Sequence, residues 1–480
     1  MKNKTAELIK TALVCILLVA LICLCAVYLF GFEKTSSPEF TTEELYALRV
    51  RSAKYTYAEE FSHSLVSPLF TVISAGGTRR CVFAEDERSS VSSVYSDMSE
   101  YLPSLLGESA SCRLLEGGEG EKIVADILDG DYIFIRFGCD IPRSVLYYIT
   151  FPSNIDENVS DEYLRDIFIY PTGPSETVEI SGQDHRIVTD ARAFSAIGVN
   201  SHGEYFMYSP GLSVRSSDDT YFSKSELMSY NMTGAVSPEF AYETENMRSS
   251  GLFEATQIVI PTCLLRCVGF SAREFSGDTS IGRAVNAFTL NYEKAARYLG
   301  EDGSQMFIEE GQNVLISGGG HLTYTATGSG GATIEDIFYV GGEDYSVCDY
   351  VGCSLMLLSR IGLETGNAVP AIENIVKKDG RVVVSFGYRV GNVPVVRGGK
   401  KEFIRFEYSA GKLVYASVEA LYAENSGKYE YVFQKWDADV YILSSSSPCR
   451  LELAYCPDEA SGGKTVCASW VAAVTAGGGK

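Results

Sequence analysis

Residues that could do chemistry are few in this 480-residue chain and stand far apart. A hydrolytic zinc site would show two histidines one helical turn apart, as in HExxH, and many serine hydrolases show GxSxG. Neither motif is present, and no P-loop occurs. We therefore expect structural or exposed roles for the four histidines: His63, His185, His202 and His321.

Two short serine motifs match those of penicillin-binding enzymes. Ser461-Gly462-Gly463-Lys464 reads SxxK, and Ser229-Tyr230-Asn231 reads SxN. In those enzymes SxxK precedes SxN and its serine opens a helix. Here the order is reversed and SxxK lies in a glycine-rich tail, so we expect no acyl-enzyme chemistry.

Glycine-rich and acidic runs complete the set of candidate sites. Gly318–Gly320 and Gly328–Gly331 could cradle a phosphate, but neither opens a helix, so we predict hairpin turns. Glu85–Glu87 and Asp218–Asp219 could bind calcium or form acid–base pairs, although solvated loop charge is the simpler interpretation. With the missing motifs, these features predict a protein without enzymatic activity, cofactor or metal.

The cysteines permit disulfides without indicating a dense framework. Cys263 and Cys267 look like an i,i+4 pair on one helix, which is poor disulfide geometry. No CxxC pair or Cys/His cluster suggests zinc. An even number outside the cell still permits pairing. We expect mostly small buried hydrophobes at the ten cysteines beyond the N-terminal segment: Cys81, Cys112, Cys139, Cys263, Cys267, Cys348, Cys353, Cys449, Cys456 and Cys467.

The elements that carry these residues follow an apolar N-terminal segment. Thr11 to Phe32 has no charge, and a bilayer core needs ~20 apolar residues as a helix. Three lysines precede it, so the positive-inside bias places the N-terminus in the cytoplasm and the bulk of the chain outside. The run is longer than a signal-peptide core and lacks a small-residue cleavage site. We predict a single-pass cell-membrane protein with an uncleaved anchor.

One side of this predicted helix carries small residues. At ~100° per residue, five positions fall on one stripe, and leucines cover the opposite side. Small residues let a second transmembrane helix approach closely, and such packing drives association in lipid. A plain anchor with chance clustering is the alternative. The stripe is our candidate partner-helix interface: Ala12, Cys15, Val19, Cys23 and Ala26.

Composition describes a globular exported region and limits its partners. Hydrophobic residues make up 46% of the chain, which is typical of packed domains. The net charge of −22 argues against binding nucleic acid, an anionic membrane surface or another polyanion. The 30 tyrosines and 24 phenylalanines favour many half-buried strands.

Hydrophobic periodicity predicts an α+β fold for the exported region. Strands flank Gly76-Gly77, an amphipathic helix ends at Pro103, and a strand stops at Ile141-Pro142. Residues 197–245 show few clear periods. The predicted strands are 69–73, 81–83, 132–137, 163–170 and 178–180, and the predicted helices are 87–102 and 123–128.

Two later segments share a pattern that predicts an internal duplication. Leu264–Phe270 and Leu357–Leu363 both read Leu-Leu-x-x-aliphatic-Gly-apolar, and each is predicted to end a helix at its glycine. An aromatic strand and then a hairpin follow each helix. These lie at 288–292 and 314–326 in the first copy, and at 382–388 and 404–415 in the second.

The predicted architecture is a transmembrane helix followed by about three extracytoplasmic modules, each with helices packed on antiparallel sheet. The predicted boundaries are a cytoplasmic tail at 1–10, the transmembrane helix at 11–32, and α+β domains at 38–195, 196–340 and 341–480.

The chain resembles the YycH family of bacterial regulatory proteins, and its tail resembles the sister family YycI. The likeness covers most of the chain as a pattern of strands and turns. The family shows Pro-Ala-Trp near its end, where this chain has Ala468-Ser469-Trp470. The segments that carry the likeness are the anchor, 131–137 with Ile141-Pro142, 264–270, 307–309, 314–326, 386–395 and Trp470.

The resemblance implies a function in signal transduction. Such proteins sit beside an essential sensor histidine kinase of a two-component system that controls cell-wall metabolism. They contact it through the transmembrane helix and the extracytoplasmic domain, and a YycI-like protein is a further expected membrane partner. The alternative is a wall-associated binding or assembly factor that uses an exposed sheet edge or inter-module groove. An anchored hydrolase ranks third, because the catalytic motifs are missing.

Overall fold

The computed structural model has a mixed α+β fold in which the named strands pair antiparallel. This confirms the predicted fold class at the level of helices packed on antiparallel sheets. The structure describes residues 66, 68–83, 91–116, 118–150, 162–180, 186–210, 221–230, 232, 235–240, 257–259, 263–327, 330–338, 345–432, 449–457 and 465–474.

The helices of the described residues are short, apart from one in the second half of the chain. They are α1 (Val91–Met98), α2 (Leu102–Leu106), α3 (Glu119–Leu128), α4 (Arg143–Thr150), α5 (Lys224–Ser229), α6 (Asp278–Ala287), α7 (Ile334–Phe338) and α8 (Val347–Ile361).

The strands fall into two large sheets and three small groups. They are β1 (Phe70–Ala75), β2 (Thr78–Val82), β3 (Ser111–Leu114), β4 (Tyr132–Pro142), β5 (Tyr163–Ile180), β6 (Arg186–Val199), β7 (Tyr205–Ser209), β8 (Phe222–Ser223), β9 (Glu239–Phe240), β10 (Ile258–Val259), β11 (Leu264–Ala272), β12 (Ala296–Leu299), β13 (Gln305–Glu309), β14 (Gln312–Ser317), β15 (His321–Ala326), β16 (Ala368–Lys378), β17 (Arg381–Val390), β18 (Val393–Pro394), β19 (Ile404–Ser409), β20 (Lys412–Glu419), β21 (Leu421–Tyr431), β22 (Cys449–Tyr455), β23 (Thr465–Val466) and β24 (Ala468–Val474).

The first sheet has the order β2-β1-β4-β5-β6-β7-β3, with β8 paired to β6. One of its inner strands is β4, which is buried without interruption from Tyr132 to Gly138. A strand that is covered on both faces reads as a continuous apolar run, and this explains the YIFIRF sequence. The register aligns Ile133 with Ile73 on one side and with Ile169 on the other.

The second sheet consists of two consecutive units, each a helix followed by an antiparallel run of strands. The first unit is α6 with β12 to β15, and the second is α8 with β16 to β20. The last strands of the two units, β15 and β20, pair with each other. The sheet order is therefore β12-β13-β14-β15-β20-β19-β17-β16, with β18 beside β17. The first strand of each unit forms one end of the sheet.

Both helices cover the same face of this sheet. Phe288, just after α6, stacks on Tyr324 of β15 with ring centroids 4.9 Å apart. On α8, Ser354 hydrogen-bonds the hydroxyl of Tyr408 at 2.8 Å, and Tyr350 packs beside the same ring. Burying each such ring stabilises the fold by roughly 1.5–3 kcal/mol.

The ends of α8 follow from its sequence. Ser346 and Asp349 form a reciprocal capping box at the start, which satisfies two backbone donors that a helix leaves free. Gly362 ends the helix with φ of 66°, a conformation that glycine adopts without Cβ strain. The predicted helix end at Leu357–Leu363 is confirmed.

Two predictions for the first copy of the expected repeat are wrong. Leu264–Phe270 is strand β11, not a helix end. A bulge between Arg266 and Val268 disturbs its alternation, so the buried positions imitate a helical pattern. Residues 288–292 form no strand, because Thr289 has φ of 66° and the Asn286 side chain accepts the Tyr292 N–H. The first helix of the repeated arrangement is α6.

Other predicted elements are confirmed or shifted. The hairpins at 314–326 and 404–415 form with the expected facing residues, such as Val314 opposite Tyr324. The predicted strands at 163–170 and 178–180 are one strand, β5. Pro103 does not end a helix; it lies in the first turn of α2, where its missing N–H costs nothing.

The predicted transmembrane segment at 11–32 lies outside the described residues. Among the described helices, none combines the length and apolar content needed to cross a bilayer. The anchor, the five stripe residues and the domain boundaries stay predictions.

Candidate functional site: a junction between the first sheet and the final hairpin

The described residues of the candidate catalytic motifs lie apart from one another. His202 occupies the turn between β6 and β7, and His321 opens β15 in the other large sheet. Ser229 ends the short helix α5, where its hydroxyl donates to the Glu226 carbonyl at 2.7 Å. The remaining candidates lie outside the described residues: His63, His185, Glu85–Glu87, Asp218–Asp219, Asn231 and Ser461–Lys464.

The glycine run at Gly318–Gly320 is the predicted hairpin turn, between β14 and β15. Gly320 has φ of 77°, and a Cβ there would collide with the backbone carbonyl of Arg273. The run therefore forms a tight turn against another part of the chain, and the Gly319 N–H donates to the Glu274 carboxylate at 3.5 Å.

Cys267 and Cys467 form a disulfide across a sequence separation of 200 residues. Among the described residues, one group of side chains lies close enough together to hold a metal ion: Cys267, Cys467 and Glu430. Sulfurs joined in a disulfide are not thiolates, and thiolates are what a metal binds. The prediction that Cys263 and Cys267 share a helix is therefore wrong, because Cys267 lies on a strand and pairs with a distant cysteine.

Among three other cysteines, Cys81 and Cys353 are buried and Cys263 is half-buried. Burial raises the pKa of the Cys353 thiol to about 12, and burial also raises the pKa of Cys263 to about 12. Cys81 is fully buried as well. Such thiols stay protonated and unreactive at neutral pH.

A cavity lies where the first sheet meets the end of the chain, and we call it the junction cavity. Its volume is about 40 Å³, which is room for about three waters at one probe sphere each. Its wall is mostly apolar. The lining residues are Leu69, Phe70, Phe83, Arg136, Ile258, Asn392, Val393, Pro394, Leu451, Glu452, Leu453 and Trp470.

A buried ion pair forms one side of the junction cavity. Arg136 on β4 donates two hydrogen bonds to Asp166 on β5, at 2.6 and 2.7 Å. The side chains are 3% and 0% exposed. Arg165 approaches the same carboxylate at 3.4 Å. The Arg136 guanidinium also lies 5.4 Å from the Phe70 ring centroid, a favourable cation–π geometry.

The turn after β17 forms a second side. The Asn392 side-chain amide donates to the carbonyls of Pro68 and Leu69 at 2.6 and 3.0 Å. Asn392 has φ of 68°, a conformation that asparagine tolerates better than most residues. This turn therefore fastens the second sheet to the beginning of β1.

The final hairpin, β22 with β24, forms the third side. Trp470 pairs with Leu453 across the hairpin. Glu452 is 5% exposed and forms an ion pair with Lys401. The Val396 N–H donates to the Tyr455 carbonyl at 2.8 Å. The Cys267–Cys467 disulfide holds the chain three residues before Trp470, so it fixes this wall of the cavity.

Comparison with known proteins identifies the fold. No protein-family model matches the sequence. No curated protein matches it either. The crystal structure of YycH from Bacillus subtilis matches with a TM-score of 0.51 at 12% identity, covering 86% of this chain and 94% of that one. The chain has the fold of YycH.

A second solved structure is far less similar. It is an uncharacterized protein from Eubacterium rectale ATCC 33656, with a TM-score of 0.29 and 9% identity over 44% of this chain and 77% of that one. The expected YycH-like fold is confirmed by the first match alone.

Three segments on which the resemblance to YycH rests meet at the junction cavity. Arg136 comes from 131–137, Asn392 to Pro394 from 386–395, and Trp470 from the tail. The strand pattern alone does not bring them together, because they are far apart in sequence. The fold therefore brings these three segments to one place in the structure.

The junction cavity lies where three parts of the chain are held together. Among the described residues of its wall there is no serine, cysteine, histidine or lysine. Its two charged groups are engaged, Arg136 by Asp166 and Glu452 by Lys401. The arrangement joins the first sheet, the second sheet and the final hairpin of the YycH fold.

The sequence does contain one indication of this site, namely charged residues within apolar strands. Arg136 interrupts YIFIRF, and Asp166 interrupts a second apolar run at 163–170. A charge in a central strand is costly unless it is paired. The two sequences could therefore have predicted a buried ion pair between neighbouring strands, although not its place beside the final hairpin.

Proposed function

We propose that this chain is a membrane-anchored, extracytoplasmic regulator of a cell-wall sensor histidine kinase, acting by protein contact and without enzymatic activity. The observation that carries the proposal is the match to the YycH fold over 86% of the chain. The residue pattern independently resembles the same family. The absence of an HExxH, GxSxG or P-loop motif from the sequence supports a binding role.

We propose a cell-membrane location, with residues 1–10 in the cytoplasm and the bulk of the chain outside. The uncharged run at 11–32 and the lysines before it support this orientation. The Cys267–Cys467 disulfide also supports it, because disulfides persist in oxidising compartments and are rare in the cytosol.

Regulation of this kind works through a difference in affinity. A kinase that interconverts between an active and an inactive state is shifted only by a partner that binds one state more tightly. In our proposal the small-residue stripe at 11–32 packs against a kinase helix, and the exported domains supply the second contact. A YycI-like protein is the further partner we propose in the same membrane complex.

The direct test is affinity capture of the full chain from native membranes in mild detergent, followed by mass spectrometry. We expect a sensor histidine kinase among the captured proteins. A variant with an unrelated transmembrane helix in place of residues 11–32 should lose it. Capture of wall-synthesis enzymes instead, in both forms, would contradict the regulator and favour the binding or assembly factor.

The stripe itself is tested by enlarging it. Val19→Leu or Cys23→Leu should abolish regulation of the kinase, because a bulky side chain keeps the partner helix at a distance. Leu21→Ile on the leucine side is the matched control and should leave regulation intact. Kinase phosphorylation in membranes is the readout. Unchanged phosphorylation in both leucine variants would rule out the stripe as the interface.

A further inference from the structure

The free end of the second sheet is an open strand with exposed apolar side chains. β12 pairs with β13 on one side and ends the sheet order among the described residues. Tyr298 is 57% exposed and Leu299 is 71% exposed. They point to opposite faces of the sheet, so each face carries an exposed apolar side chain at this edge. Ile308, beside them on β13, is 38% exposed.

The charged side chain of β12, Arg297, does not block pairing at this edge. Natural edge strands are often protected by charged side chains that project from the edge. Arg297 instead folds back over its own sheet, where it donates to Gln305 at 2.7 Å and lies 5.7 Å from the Phe307 ring centroid. The main chain of β12 is therefore accessible to another strand.

The hairpin register identifies which main-chain groups face outward. The Gly300 N–H donates to the Ser304 carbonyl at 2.8 Å. Hydrogen-bonded pairs alternate along an antiparallel ladder, so Tyr298 and Ala296 also bond inward to β13. The N–H and C=O groups of Arg297 and Leu299 consequently face the free edge.

We propose that this edge binds β12 of a second copy of this chain, antiparallel and two-fold symmetric, with Tyr298 opposite Tyr298 of the second copy. In this register Arg297 of each copy lies opposite Leu299 of the other. Their outward main-chain groups exchange four hydrogen bonds. Two second sheets thereby become one continuous sheet. The inference stands independently of the kinase partner.

Charge and side-chain pairing select this register over its neighbour. Shifting the strands by one step of the ladder toward the start of β12 would place Arg297 opposite Arg297, and directly opposed like charges are unfavourable. A shift the other way would place Leu299 opposite Leu299 and Arg297 opposite residue 301, which lies beyond the 4-residue strand, so fewer main-chain hydrogen bonds could form. The proposed register instead pairs two tyrosines at a non-hydrogen-bonded position, where side chains are closest. It also brings Lys294, before the strand, toward Glu301 and Asp302 in the turn of the second copy. Contacts of opposite charge thus occur at both ends of the interface.

The contact is small and suits a transient dimer. β12 is only 4 residues long, and a short edge contact buries less than the ~1,200 Å² that separates weak from stable interfaces. The two copies would therefore associate at high local concentration, which a shared membrane supplies.

Disulfide trapping of the full chain in detergent tests the register. With Tyr298→Cys, the two new cysteines would have Cα atoms ~4.5 Å apart, within disulfide range. With Arg297→Cys, the matched control, the Cα atoms would be ~7–8 Å apart, beyond that range. Under mild oxidation Tyr298→Cys should yield about tenfold more reducible dimer than Arg297→Cys or the wild type. Equal trapping of the two variants, or none above wild type, would overturn the proposal.

A second pair of variants keeps the test independent of added cysteines. Leu299→Pro removes an outward N–H, whereas Leu299→Ala keeps it. In sedimentation of the full chain at rising concentration, the wild type and Leu299→Ala should form dimer, and Leu299→Pro should remain monomeric. Circular dichroism checks that both variants are folded. Dimerisation of Leu299→Pro at the wild-type level would show that the copies meet elsewhere.

Discussion

The buried ion pair beside the junction cavity allows a quantitative prediction. Asp166 serves two guanidinium groups, Arg136 through two short hydrogen bonds and Arg165 at 3.4 Å. Asp166→Asn keeps the shape of the side chain but removes its charge. Two buried cations would then share a neutral partner, and breaking a buried pair from one side costs about 3–5 kcal/mol.

The expected change in melting temperature follows from the size of the folded unit. Residues 53–480 form one compact unit, and its entropy of unfolding should be about 0.9 kcal/mol/K at typical per-residue values. Asp166→Asn should therefore lower the Tm by about 3–6 °C if the unit unfolds cooperatively. Circular dichroism of the full chain in detergent is the assay.

A surface ion pair is the matched control. Arg113 and Glu119 also form a close pair, at 2.9 Å, but their side chains are 58% and 43% exposed. Exposed pairs contribute little, so Glu119→Gln should leave the Tm unchanged. The double variant Arg136→Met/Asp166→Leu should recover part of the loss, because the Arg136 charge is removed together with the carboxylate it pairs with. If Asp166→Asn melted at the wild-type temperature, the pair would not stabilise the junction and our reasoning would be wrong.

Three further predictions concern other parts of the fold. Cys467→Ala should lower the Tm by about 2–4 °C, because losing the disulfide costs ~2–4 kcal/mol of unfolding free energy. Dithiothreitol should lower the Tm of the wild type equally and leave that of the variant unchanged. A wild-type Tm that does not respond to dithiothreitol would contradict this. Gly362→Ala should destabilise more than Gly380→Ala in urea unfolding. Both glycines have positive φ, but only at Gly362 would a Cβ displace the Arg283 guanidinium from the Arg360 and Ser359 carbonyls to which it donates. Equal losses would contradict a role for those hydrogen bonds. Burial raises the pKa of Tyr324 to about 12, above its unfolded value near 10. Its contribution to stability should therefore be full below pH 10 and fall as pH rises toward 12. Tyr324→Phe should flatten this alkaline decline in Tm, and an unchanged slope would contradict the prediction.

Sequence patterns predicted the parts of the fold that local rules control. The alternation in 314–326 and 404–415 predicted two hairpins, because side chains in strands alternate between faces. The helix end at Gly362 was predictable, because a glycine after an apolar run is a common stop. In each case the residues that decide the structure lie within a few positions of one another.

The errors arose where distant residues or one extra residue decide the structure. The bulge at Arg266 to Val268 makes β11 imitate a helix end. The partner of Cys267 is 200 residues away, so no spacing rule could indicate it. The junction cavity likewise collects residues from β1 to β24. The apolar sequence around Arg136 and Asp166 could have predicted their pairing. The positions of Asn392 and Trp470 beside this pair follow only from the complete fold.

The two ends of the second sheet suggest how a repeated arrangement acquires two different tasks. Each unit contributes its first strand to one end, so a change in the length of that strand alters one end and leaves the other intact. β16 has 11 residues and packs against β4 of the first sheet. β12 has 4 residues and stops short of any such neighbour among the described strands. The first strand of each unit therefore sets the role of its end of the sheet: the long β16 packs on the first sheet, and the short β12 leaves the other end open.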